Sequence, residues 1–254
     1  MKKICVAFGI LLILSACSHY TAAIAPEQKV ALKTIGVASI VGDSMNYTKV
    51  GFTVFTNENS DGDTSDWGID DFVVSEVAAK LGKQYSIVPV EVNKQAFKAS
   101  KEPIEKAAYA AIKPAGTPVD AYLLLVPTTV GDFIGGSYEK LHGLGIYRRP
   151  GHSIQIFAIC DFLLIDAKSQ DLLAGGQLGF ISEGVTFKDI LEARALSKSM
   201  MGGELAHRKI DPSLAKAKVW QEFTPDQLTE IKGITTSLLH DSFDYPLVGM
   251  GLIQ

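Results

Sequence analysis

The chain has 254 residues, 47% of them hydrophobic, and a formal net charge of −4, which is the size of one domain, or of one domain with elaborations, and supports a sizeable core. A net negative charge gives no attraction for nucleic acid or for an anionic lipid surface. Three cysteines, Cys5, Cys17 and Cys160, are too few for a disulfide framework of the kind that holds small secreted domains.

Met1-Lys2-Lys3 is a short basic start, followed by the apolar run Ile4 to Leu14 and then by Ser15-Ala16-Cys17. The run is too short to span a bilayer as a stable helix, which needs roughly 20 apolar residues, so it reads as a targeting segment that is removed. Leu14-Ser15-Ala16-Cys17 resembles the lipobox of bacterial lipoproteins, in which the cysteine sulfur receives a diacylglycerol, the peptide is cut before it and the new N-terminus is acylated. On that resemblance Cys17 is the lipidation site and the first mature residue. Each buried methylene of such chains contributes roughly 0.8 kcal/mol, and more than one chain is attached, so anchoring is stable. Ser18 stands where an Asp would favour inner-membrane retention, which points to the periplasmic face of the outer membrane. Cys5 leaves with the signal and Cys17 is modified, so Cys160 stands alone and no intramolecular disulfide is possible.

The chain therefore divides into a signal peptide (1–16), a lipidated tether (17–31) and a single α/β domain with a helical C-terminal part (32–254). Its fold class is α/β, a mixed β-sheet packed by helices. Leu32 to Val41 has strand composition and stops at the turn signal Gly42-Asp43, and Thr48 to Thr56 alternates as its partner. The polar stretch Asn57 to Asp66 reads as a loop. From Asp66 to Leu81, Ile69, Phe72, Val73, Val77 and Leu81 fall at helical spacing, with Asp70 and Asp71 in the first turn, where the helix dipole favours negative charge.

Tyr85 to Val92 is the next strand, with Pro89 marking an edge or a bulge. Asn93 to Ser100 and Pro103 to Ile112 read as helices, and Asp120 to Val130 as a buried strand. Gly131 to Gly151 reads as a long irregular loop with five glycines up to Gly145. Loops of this length in a compact domain are usually functional, so Phe133, Tyr138, Tyr147, Arg148 and Arg149 are the candidate partner-binding residues. His152 to Ala167 is apolar on both faces, as in a central strand covered on both sides, and turns at Lys168 to Asp171 into Leu172 to Phe180. Helices follow at Lys188 to Met201 and Thr224 to Phe243, the latter opening with a Thr-Pro-Asp-Gln capping box, and Leu247 to Ile253 is apolar enough to dock as a further strand.

The segments KTIGVASIVGD, DWGIDDFVVSEVAAKLGKQYSIVPVE, PVDAYLLLVPTTVGDF and SIQIFAICDFLLIDAKSQDLLAGG follow one another in an order that resembles the fold shared by the curli-secretion lipoprotein, the lipoprotein activators of penicillin-binding proteins and the N-terminal domain of the Tol-Pal β-propeller protein. The resemblance implies an α/β sandwich without catalytic residues that contacts other proteins at the envelope. It implies no cofactor. An extra hairpin before the first long helix and the glycine-rich 131–151 stretch depart from the pattern.

Chemistry is sparse. Gly42-Asp43-Ser44-Met45 after a strand resembles the first block of GDSL esterases, but the Asp-x-x-His that supplies their base is missing, so Ser44 has no evident activator. Asn57-x-Asn59-x-Asp61-Gly62 has calcium-loop spacing, yet the twelfth position is Gly68 where a bidentate Glu is needed. The five histidines are scattered, without zinc-ligand spacing. Asp161 interrupts an apolar strand as a structural carboxylate, and Cys160 is a small buried hydrophobe. The expectation is a non-enzymatic lipoprotein, held to the membrane through Cys17, that binds an envelope protein. The alternatives are an envelope hydrolase using Ser44 and a self-assembling secretion-type ring.

Overall fold

The computed structural model describes residues 23–52, 57–113, 116–131, 140–148, 154–178, 207–209, 214 and 217–254. The expected helix 188–201 and the candidate residues Cys17, Phe133, Tyr138 and Arg149 lie outside them. The elements are α1 (Pro26–Ala31), β1 (Thr34–Ser39), β2 (Ser44–Lys49), β3 (Glu58–Asp63), α2 (Ile69–Leu81), β4 (Ser86–Pro89), α3 (Lys94–Ala99), α4 (Ile104–Ala111), β5 (Ala121–Pro127), β6 (Thr129–Gly131), β7 (Lys140–Arg148), β8 (Gln155–Asp166), β9 (Leu172–Leu178), β10 (His207–Lys209), α5 (Pro225–Ser242) and α6 (Asp244–Gly249).

The fold is α/β, a curled mixed sheet with helices packed on it, and its main path runs β3-β2-β7-β8-β5-β1-β4. Strand β8 is the spine because it is apolar at both parities. Ile156, Ala158, Cys160, Phe162 and Leu164 enter the main core, while Phe157 and Ile159 belong to a second cluster and Leu163 and Ile165 to a third. Residues 160–166 of β8 are flanked by β5 and β9, and residues 155–159 by β7 and β10. Partnership passes from β5 to β7 at one step, since Pro127 pairs with Cys160 and Gly143 with Ile159. Two wings diverge from that point. One carries β1 and β4 beside β5, all three parallel, and the other carries β2 and β3 beside β7.

Helix α2 lies against β1 with Ile69, Val73, Val77 and Leu81 buried, the i, i+4, i+8, i+12 stripe expected of a core-facing helix. It begins at Ile69 rather than Asp66, because a 3-10 turn at Ser65–Trp67 precedes it and Gly68, at φ 67, reverses the chain there. Helix α5 has the expected capping box, with Thr224 and Gln227 each accepting from the other's backbone N–H.

Several expectations are corrected. The second strand is Ser44–Lys49, shifted from 48–56, and the polar segment after it is strand β3, not a loop. Asn59 and Asp61 pair with Thr48 and Asn46 in an extended ladder, so they do not form an EF-hand loop. Strand β3 can be this polar because its core-side residue, Gly62, is covered by Trp220, whose ring occupies the space a β-carbon would need. Pro89 ends β4 at the sheet edge, where a missing N–H leaves no ladder bond unmade. The 131–151 stretch is not one long loop, since it contains all of β7. The segment 247–253 joins helix α6 and a turn in place of a strand. Residues 24–31, expected within the tether, belong to the folded body, because Ile24 is buried, with its N–H donating to the Met250 carbonyl at 3.0 Å, and α1 follows at once.

Candidate functional site

Where the two wings part, the carboxyl ends of β1 and β5 face the start of β7 across a cleft of about 550 Å³, within the range of ligand-sized sites. Open α/β sheets bind ligands at such strand ends, where neighbouring strands diverge. The near wall is the turn after β1. Asp70, in the first turn of α2, reaches back to it, and its Oδ1 accepts from Ser39 Oγ at 2.6 Å and from the N–H groups of Val41 and Gly42 at 3.0 Å each. A β-carbon at residue 42 would stand 2.8 Å from Ile69 Cβ and 3.0 Å from Asp70 N, so the approach requires glycine. Thr64 closes the turn from the other side, its hydroxyl donating to the Gly42 carbonyl at 2.8 Å.

Held in this way, Asp43 points into the cleft toward α3. Lys94 Nζ lies 2.5 Å from Asp43 Oδ1 and 2.6 Å from Asp70 Oδ2, and Lys98 Nζ lies 3.3 Å from Asp43 Oδ2. Burial raises the Asp43 pKa, but hydrogen bonds and charge from Lys94 and Lys98 outweigh it and hold the carboxyl below its ordinary value. For Lys94 burial acts downward, and the two carboxylates overcome it and raise the ammonium pKa. Both groups are charged at neutral pH. Asn93 caps α3 by accepting from Ala96 N–H at 3.0 Å, which fixes the helix that presents the two lysines.

The far wall is Pro127 with His142, Gly143 and Leu144. Gly143 has φ 60, a left-handed conformation that lets β7 turn into the sheet beside Thr128. His142 Nδ1 lies 2.8 Å from Thr129 Oγ1. The surrounding protein lowers its pKa by desolvation, against the opposing pull of Asp61 and a hydrogen bond to Thr128, so the imidazole is neutral at pH 7. Phe97, Ile104 and Ala107 supply apolar surface, and Asn46, Asp61, Ser100 and Glu102 line the rest. Asn46 Nδ2 donates to Asp61 Oδ1 at 3.0 Å, tying β2 to β3 at this edge.

Ser44 is exposed at the start of β2 and lines the same cleft as His142, which sequence order alone does not indicate. No hydrogen bond joins the two among the described residues. Two of the expected contact residues have other roles. Tyr147 has 0% exposure and packs with Val50, Leu141, Phe157 and Ile159, because its parity on β7 turns it into a core cluster. Arg148 Nη1 donates to the Ala217 carbonyl at 3.2 Å, an acceptor it shares with Tyr47 Oη at 2.7 Å, and so fastens β7 to a distant segment. Asp161 accepts from Gln177 Nε2 at 3.0 Å, a cross-strand structural bond.

The lysines were not among the residues expected to form a site, although their i, i+4 spacing on a short helix puts them on one face. Asp70 carried a signal as a helix-dipole partner. Among the described residues, no group of three or more His, Cys, Asp or Glu side chains is placed to hold a metal ion. Comparison of the chain with known protein families, with characterised proteins and with solved structures finds no match.

Proposed function

We propose that the chain is a lipid-anchored envelope protein, attached through Cys17 to the periplasmic face of the outer membrane, whose α/β body binds another envelope protein at the cleft. The observation that carries this reading is the lipobox followed so closely by the folded body. Only Ser18 to Ala23 separate Cys17 from Ile24, the first buried side chain among the described residues. Fully extended, the seven steps from Cys17 to Ile24 reach no more than about 25 Å. A body held this close to a membrane acts on partners at that membrane. The cleft supports the same reading, since it joins apolar surface to fixed charges of both signs, a combination that selects a partner segment by charge complementarity.

The test is in-cell crosslinking with a photoreactive amino acid in place of Lys101, which is exposed between the cleft residues Ser100 and Glu102. A discrete second protein captured there, and not from the exposed Lys83 at the other end of the sheet, is the expected result. Capture of the same chain alone would replace this reading with a ring-forming one.

A second reading is favoured by one specific observation, the shared lining of the cleft by Ser44 and His142. It makes the chain an envelope hydrolase with Ser44 as nucleophile and His142 as base. A fluorophosphonate probe that labels the wild type but not Ser44→Ala would support it, and absence of labelling would remove it.

A further inference from the structure

The charges that line the cleft are unequally matched. Its titratable groups are Asp43, Asp61, Glu102, Lys94, Lys98 and His142. Both lysines are already engaged, Lys94 with Asp43 and Asp70 at 2.5 and 2.6 Å and Lys98 with Asp43 at 3.3 Å. Those two cations and two carboxylates cancel, and the imidazole of His142 is neutral at pH 7. Asp61 and Glu102 remain. Among the described residues Asp61 accepts from the uncharged Asn46 Nδ2 at 3.0 Å and makes no ion pair, and the exposed Glu102 carboxylate makes none either.

The two carboxylates stand on different wings. Asp61 is on β3, whereas Glu102 lies in the connection from α3 to α4, where Phe97 and Ile104 pack on Ala38, Leu124 and Val126 of β1 and β5. A segment lodged between the wings meets an unpaired carboxylate on each side and the apolar surface of Phe97, Ile104 and Leu144. Exposed charges of the same elements outside the lining are of both signs, Lys101 and Lys106 against Asp63 and Asp66, and water screens them, while the walls of a cleft focus the field of the charges inside it.

We infer that the cleft takes a cationic segment, a stretch of the partner protein that brings lysine or arginine to Asp61 and Glu102 and lays an apolar neighbour on Phe97 and Ile104. The inference rests on the reading above that the cleft binds an envelope protein, and it specifies that partner's chemistry. An acidic segment would meet two unpaired carboxylates and find no free ammonium, since each lysine would first have to leave its own carboxylate. A neutral segment would desolvate Asp61 and Glu102 without compensation. Arginine suits the site best, because its planar fork serves carboxylates while its stem covers apolar surface.

The test is capture in cells by the full-length lipidated protein with the photoreactive amino acid at position 101, with and without Asp61→Asn and Glu102→Gln together. Asn at 61 keeps the oxygen that Asn46 donates to, so the β2–β3 tie survives the change. The expected result is that the neutral pair of substitutions lowers capture roughly three-fold or more. The attached segment, sequenced by mass spectrometry, carries lysine or arginine. Exchanging that residue for glutamate removes capture by the wild type, and Asp61→Lys with Glu102→Lys restores it. Undiminished capture by the neutral variant, or an attached segment without a basic residue, overturns the charge assignment while leaving the cleft as the binding site. No second protein captured by the wild type overturns the binding reading and the inference together. Should the double variant have a lowered unfolding midpoint, Glu102→Gln alone decides, because that side chain holds nothing in the fold among the described residues.

Discussion

Asp43 and Lys94 form the site's electrostatic centre, and their shifts set a pH window for stability. Asp43 has its folded pKa depressed below its ordinary 3.8, so its contribution is present above that value and is lost as pH falls through the folded pKa. Lys94 has its folded pKa raised above its ordinary 10.5, so its contribution is present below that value and is lost as pH rises through the folded pKa. Urea unfolding measured from pH 6 to pH 3 should show stability falling below about pH 4, with a shallower fall in Lys94→Met, where Asp43 has lost its main partner. Asp70→Ala leaves two buried backbone donors and the Ser39 hydroxyl without their acceptor and Lys94 with Asp43 alone, and should cost about 2–4 kcal/mol in the same measurement. Cys160 has 0% exposure, and burial pushes its thiol far above the ordinary range. A thiol reagent at pH 8 should therefore leave it unmodified in the folded protein and react once denaturant is added. Sequence reading identified Cys160 as a small buried hydrophobe from its place in an apolar strand. It did not assign Asp70 to the Gly42 turn or to Lys94, because the groups it binds sit 24 to 31 residues away.

Elements differ in how far their own residues specify them. Helix α5 was legible in full, because a capping box and an apolar face are local patterns. Thr224→Ala removes a side chain that accepts one orphan N–H, and should lower stability by about 0.5–2 kcal/mol in thermal or urea unfolding. Strand β3 was not legible, since its sequence, Glu58–Asp63, carries no apolar alternation. What holds it as a strand is its ladder with β2 together with Trp220, which covers Gly62 with its ring and donates its backbone N–H to Ser60 Oγ at 3.1 Å across a separation of 160 residues. Gly62→Ala would set a methyl 1.8 Å from Trp220 Cε2 and should destabilise the domain by about 1–3 kcal/mol, with a red-shifted tryptophan emission as the ring is displaced. Strand β7 escaped for a different reason. Gly143 and Gly145 read as loop residues, yet Gly145 is where Phe157 and the Asn46 carbonyl approach closely, so the glycine serves packing within a strand.

At the scale of the whole molecule, β8 joins two wings and the cleft is the consequence of their divergence. The proposed function needs this body to be tied to a membrane, and that is tested at Cys17. Cys17→Ala should move the protein from the membrane fraction to the soluble fraction on cell fractionation, with its unfolding midpoint unchanged, because Cys17 precedes the first buried side chain among the described residues by seven positions. A variant that stayed with the membrane would remove the lipid anchor from the proposal.

By itself the sequence determined the α/β class, the doubly buried β8, helices α2 and α5 and, for β4, a choice between an edge and a bulge. Each follows from apolar periodicity, capping residues or a proline, and these are properties of neighbours in the chain. The tertiary structure alone decided the fork on β8, the clamp of Asp70 on the Gly42 turn, the convergence of Asp43, Lys94 and His142 on one cleft and the burial of Tyr147. These depend on pairs brought together from distant segments, where packing and desolvation act on contacts that no local pattern encodes.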